Sequence, residues 1–300
     1  MAAFSPQGAR AASPIATQAS SDPQVVAGIL LVDVNQVNLI TGTYNADFYL
    51  WFNSTGSPQT VNYEIVNGQA TSVTVDVNTS SYQEYRIRAT LTNNLNFQNF
   101  PFENHTLSIQ IEDKNLQASQ LSFAADTAAS GTDPSLVVNG WNILGSSVSA
   151  APHAYSGGQT FSRLTFAFTI GRPVFQTFVK DLLPVVLVTF IAMLAFALPP
   201  ARSFERVFIG VTTLVAAVQF HLSLLAQTPS VNYLTIADDV MLTVYVLILY
   251  GLAVTISLAR EVDRQDVDKA WRRNRKGAVL VPVVAAVVLA FLLLLGIAGF

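Results

Sequence analysis

The stretch Ser203–Leu222, SFERVFIGVTTLVAAVQFHL, opens a run from Val207 to Ala237 without one Asp, Glu, Lys or Arg. Such a run is long enough for a helix to cross a hydrocarbon core of about 30 Å. It still carries Thr212, Thr213, Gln219, His221 and Ser223, and a spanning helix that keeps so much polar surface is expected to turn it towards water. Read as one helix to about Gln227, it places Glu205, Phe208, Thr212, Val215, Gln219, Leu222 and Ala226 on one stripe, alternating by three and four residues. A packing explanation stands beside this one: hydroxyls in membrane helices also bond their own backbone or a neighbouring helix, and Glu205 suits a helix N-terminus.

Working outward, Leu182 to Ala201, Val240 to Ala259 and Gly277 to Phe300 are equally poor in charge, which predicts four spans at about 178–198, 205–227, 236–259 and 278–299. The whole chain agrees: of 300 residues, 51% are hydrophobic and 12% charged, with a mean hydropathy of +0.42. A net charge of -3 suggests no nucleic-acid partner, and the lack of cysteine excludes disulfides and thiolate metal sites. Arg202 and Arg206 flank the first connection between spans, and residues 260–277 carry a basic run, whereas AQTPSVNYLT has no base. Basic loops stay cytoplasmic. The expected topology is therefore a multi-pass cell (inner) membrane protein with its N-terminal domain and C-terminus extracellular or periplasmic.

Residues 1–23 are rich in Ala, Ser and Pro and lack an apolar signal core, which predicts a disordered leader. From Val25 the period changes to two, in AGILLVDV, NADFYLWF, QATSVTVDV, EYRIRATL, HTLSIQIED, QLSF, WNILGSSV and FSRLTFAFTI, separated by Gly, Asn, Pro and Ser clusters. This predicts an antiparallel β-sandwich over 24–173 followed by a transmembrane domain over 174–300, an α+β membrane protein. Between residues 24 and 172, ten acids oppose five bases, a balance that suits a cation vestibule.

A sandwich followed by four spans, with NFPFENHTLSIQIED at 99–113, Arg172 before the first span, Pro184 inside it and SFERVFIGVTTLV as the second, resembles the pentameric ligand-gated ion channels, in particular the prokaryotic members that lack the paired cysteines. The family turn usually reads Phe-Pro-Phe-Asp-x-Gln; here Glu103 and His105 stand in place of the acid and the amide. The connection from Trp51 to Tyr82 also lacks the family's Trp-x-Pro segment.

The resemblance implies a homopentamer in a lipid bilayer, opened by movement of the sandwich, with the second helix lining a pore for monovalent cations. A carboxylate ring at Glu205 would select cations and apolar rings at Phe208, Val215 or Leu222 would gate by dewetting. It implies a gating interface of Arg172, Glu103, Phe100, Pro101, Phe102, Pro229 and, as substitute acid, Asp33. Tyr49, Trp51, Tyr82, Trp141, His153 and Tyr155 are the ligand-binding candidates, and SAAPHAYSGG (149–158) fits a loop capping that site. A small ligand, a proton or calcium is the expected modulator, and no metal site, cofactor or catalytic set is expected. His221 lies off the stripe, which makes it an interhelical histidine, with proton sensing as the other reading. A non-conducting receptor or scaffold is the alternative to a channel; it has no need of an aligned polar stripe.

Overall fold

The computed structural model describes residues 24–54 and 58–298; the leader expected at 1–23 lies outside them. Among the described residues two sheets face each other. One contains β1 (Gln24–Asn38), β2 (Thr43–Ser54), β4 (Gly68–Asn78), β5 (Tyr82–Thr92), β7 (Ser122–Ala125) and β8 (Gly131–Thr132), in the order β4-β5-β2-β1-β7 with β8 also on β1. The other contains β3 (Tyr63–Ile65), β6 (Asn104–Asp113), β9 (Asn142–Ala154) and β10 (Thr160–Gly171), in the order β3-β6-β10-β9.

Period-two patterning decides which faces meet. β2 turns Tyr44, Ala46, Phe48, Leu50 and Phe52 inward, each at most 3% exposed, and Leu107, Ile109, Ile111, Leu164, Phe166, Phe168 and Ile170 meet them from β6 and β10. Each large side chain removed from water here contributes roughly 1.5–3 kcal/mol. The strands β3 and β8 are too short to leave a period in the sequence. β7 and β8 run parallel to β1, so the otherwise antiparallel sandwich has one parallel margin.

The expected capping loop at 149–158 is a correction. β9 continues through His153 to Ala154, paired with Thr160, and only the turn at 155–159 remains. Pro152 is tolerated because β9 is an edge strand, where a missing N–H breaks no ladder bond.

Arg172 and Pro173 alone join β10 to the helices α1 (Val174–Ala197), α2 (Ser203–Leu225), α3 (Ile236–Asp263) and α4 (Val267–Ala298). Among the described residues the first three are long and apolar enough to cross a membrane; the fourth predicted span falls in α4, where several side chains lie outside the described set. In α1, Pro184 supplies no N–H, and the preceding turn, Phe178–Leu182, widens to a π-helix. Thr235 starts α3 with a capping box: its hydroxyl accepts from the Asp238 N–H, and the Asp238 carboxylate accepts from the Thr235 N–H at 2.8 Å. The loop expected at 260–277 contracts to 264–266 because the charged run is mostly helical, with Arg273 of α4 donating to Glu261 and Ser257 of α3 at 2.9 and 2.8 Å.

Candidate functional site

The sandwich and the helices meet at a junction built on the turn ahead of β6. Phe97 and Phe100 are 2% exposed, and they pack among helix residues such as Val185, Leu224, Ala237 and Val240 rather than in the sandwich core. The carbonyls of Gln98 and Phe100 accept the Ile236 and Ala237 N–H groups at 3.1 and 3.0 Å. The turn thus satisfies donors that the first residues of any helix leave open. The Phe97 N–H donates to the Tyr233 hydroxyl at 2.9 Å, and Leu39 and Val231 complete the apolar contact. Pro101 and Phe102 are buried, and Pro229 lies half-buried in the connection from α2 to α3.

Beside this contact stands a buried ion pair. Arg172 Nε donates to Glu103 Oε1 at 2.7 Å, its guanidinium lies 5.1 Å from the Trp141 ring centre and 5.5 Å from that of Phe100, and its Nη1 is 4.0 Å from Asp181. Burial alone would raise the Glu103 carboxyl; His105 and Arg172 outweigh it and hold the group below the ordinary carboxylate range. Asp181 sits in the π-turn of α1 and accepts from Gln227 Nε2, just past the end of α2, at 3.4 Å. The second acid of this junction is therefore Asp181, and Asp33 is corrected. With Val34 buried, the period of β1 turns Asp33 outward, where it faces Asp47 in register and accepts from Asn35.

All seven residues of the predicted stripe are exposed in the single subunit, including Phe208 at 64%, Val215 at 56% and Leu222 at 55%. The opposite face of α2, with Arg206, Gly210, Thr213, Ala217 and Leu224, is buried. The two neighbouring threonines divide accordingly: Thr213 Oγ1 donates back to the Ile209 and Gly210 carbonyls, whereas Thr212 is exposed. His221 bridges α2 to α3, with Nδ1 3.0 Å from the Tyr245 hydroxyl and Nε2 3.0 Å from Asp238 Oδ1.

The six ligand-binding candidates do not converge within the subunit. Tyr49 lies under Arg86 on the outer face of β2, the Trp51 indole donates to Asp126, and the Tyr82 hydroxyl donates to Glu84. Trp141 belongs to the junction, under Arg172, so its place in a ligand cage is corrected. His153 and Tyr155 do meet, edge to face at 4.9 Å, beside the bonded pair Arg163 and Glu112.

The chain is 25% identical over 213 residues to a proton-gated ion channel of Gloeobacter violaceus, a match covering 69% of this chain and 58% of that protein. The chain is thus similar to ligand-gated ion channels. It is also 22% identical over 173 residues to a gamma-aminobutyric acid receptor beta subunit of Caenorhabditis elegans, covering 56% of this chain and 30% of that one. A third relative is the pH-sensitive chloride channel 2 of Drosophila melanogaster, 27% identical over 199 residues, covering 63% and 36%. The chain spans 58% of the first relative's length and about a third of the others'. No protein-family model matches it.

Sequence reasoning missed three groups. Arg206, read as a cytoplasmic-loop base, is 1% exposed; its Nη2 donates to Asn274 Oδ1 at 2.8 Å, Asn274 Nδ2 donates to the Phe196 carbonyl at 3.1 Å, and its guanidinium lies over the Phe196 ring. Tyr233 and Asp181 were also overlooked. Their signal was slight: an acid ahead of Pro184 and an aromatic beside the Thr235 cap.

Proposed function

We propose that the chain is one subunit of a homopentameric, ligand-gated, cation-selective ion channel of the cell (inner) membrane, with the sandwich outside. The observation that carries this reading is the division of α2: one face buried against the subunit's own helices, the other exposing Glu205, Thr212 and Gln219 in line with Phe208, Val215 and Leu222. A lone subunit gains nothing from exposing both kinds of residue on one line. Five copies around an axis convert them into carboxylate, hydroxyl, amide and apolar rings lining water. The junction supplies the drive, since a displaced sandwich carries with it the turn that caps α3.

Cation selectivity is assigned to Glu205, the acid in the first turn of α2, with monovalent cations as the permeant species. Relatives named for chloride and for gamma-aminobutyric acid make this the part most in need of test. Purified protein in planar bilayers under a salt gradient should reverse near the cation potential; reversal near the anion potential removes Glu205 from this role. A folded pentamer that binds ligand through the sandwich and carries no current under any condition would leave the receptor reading instead.

A further inference from the structure

The junction contains two buried polar atoms without a partner, and they lie on neighbouring side chains. His105 is 2% exposed and Glu103 1%; among the described residues neither His105 Nε2 nor Glu103 Oε2 has a hydrogen-bond partner. His105 Nε2 stands 3.8 Å from Glu103 Oε1, too far for a hydrogen bond and close enough for a small rotation to make one. The imidazole is held between the rings of Phe97 and Trp141, at centroid distances of 5.2 and 5.6 Å. An orphaned buried nitrogen beside an orphaned carboxylate oxygen is costly while both stay unpaired.

We propose that His105 is a proton-binding site, and that a proton there moves Arg172 from Glu103 towards Asp181. The titratable groups that face it are Glu103 in the turn just ahead of its strand, Arg172 just past β10 and, beyond Arg172, Asp181 of α1; Tyr233, from the connection between α2 and α3, bonds Phe97, whose ring edges the imidazole. With His105 neutral, these two acids and one base sum to one negative charge. A proton from the outer solution adds to the free lone pair, so that both ring nitrogens carry hydrogen and Nε2–H donates to Glu103. The buried group is then neutral in sum, which a low-dielectric site favours.

Glu103 now has two cations competing for it, and Arg172 has a second acid already within 4.0 Å. Asp181 in turn accepts from Gln227 at the end of α2. The proton therefore strengthens the tie between sandwich and helices and reaches the end of the pore helix through Arg172, Asp181 and Gln227. Its effect on opening rests on the channel reading above; the protonation does not.

The test separates the two. The full chain has three tryptophans, so W51F/W271F leaves Trp141, whose emission is quenched by an adjacent imidazolium. Titration from pH 8 to 4 should show a quenching step that is lost when H105Q is added, with assembly checked by size exclusion. An unchanged step in H105Q, or no step in the parent, overturns the proposal. In bilayers, H105Q and D181N should each remove the acid response of the current, D181N while keeping the fluorescence step; a pH–current curve identical to wild type in H105Q overturns it as well. If no variant conducts but the step is present and lost with His105, the proton site stands and the channel reading fails.

Discussion

Removal of Arg172 leaves Glu103, 1% exposed, as an uncompensated carboxylate among Phe100, Trp141 and His105. Breaking a buried pair from one side costs about 3–5 kcal/mol. Arg172 is 18% exposed and His105 stands 3.8 Å from the carboxylate, so R172A should fall near the lower end. E103Q removes the charge instead and leaves Arg172 with Asp181 and solvent, a loss of about 1.5 kcal/mol for one charge-assisted hydrogen bond. Because R172A/E103Q buries no lone charge, the double variant should be more stable than R172A alone, which requires a coupling larger than the cost of E103Q, about 2–3 kcal/mol. Thermal unfolding of the detergent-solubilised protein, followed by tryptophan emission, measures this order. If the double variant is less stable than R172A by the full cost of E103Q, the two side chains act independently and the pair has no role. In bilayers R172A should remain assembled and open rarely; wild-type currents refute its coupling role.

E205A should reduce the preference for cations in reversal-potential measurements, with the bilayer assay otherwise unchanged. If Val215 gates the proposed pore, V215S should make opening easier, because a hydroxyl in place of an apolar side chain resists dewetting; an unaltered activation curve removes Val215 as gate. N274A leaves the buried Arg206 without the side-chain acceptor it has among the described residues, a loss of about 1–3 kcal/mol, and should lower the melting temperature more than an alanine at exposed Arg272. The Glu103 carboxyl is depressed in the folded state, so its stabilisation relative to E103Q should be complete above the ordinary carboxylate value and decline as pH falls through the lower folded value; a wild-type advantage that grows instead as pH falls below about 4 contradicts this sign.

Period and charge made much legible in advance. The alternation in NADFYLWF and FSRLTFAFTI marked β2 and β10, and the charge-free run beginning at Val207 marked α2 together with its exposed line of seven residues. What stayed hidden depends on contacts between distant segments. Arg172 and Asp181 stand nine positions apart across Pro173, a spacing with no simple period to announce a contact, yet they come to 4.0 Å. Trp141 read as a ligand-cage residue because its partner, Arg172, is 31 positions away, just past the end of β10. Asp33 misled for a simpler reason: its place in the alternation of β1 already pointed outward.

The hydrogen bonds from Ile236 and Ala237 to the carbonyls of Gln98 and Phe100 have a practical consequence for chimaeras. Domain exchange that cuts only between Gly171 and Val174 would graft a foreign turn onto α3 and leave its first amide hydrogens to whatever backbone that turn happens to present. Segment 97–103 is the sandwich's in sequence and the helices' in bonding. A hybrid that retains this short insert from the donor of the helices should assemble where the simple fusion does not.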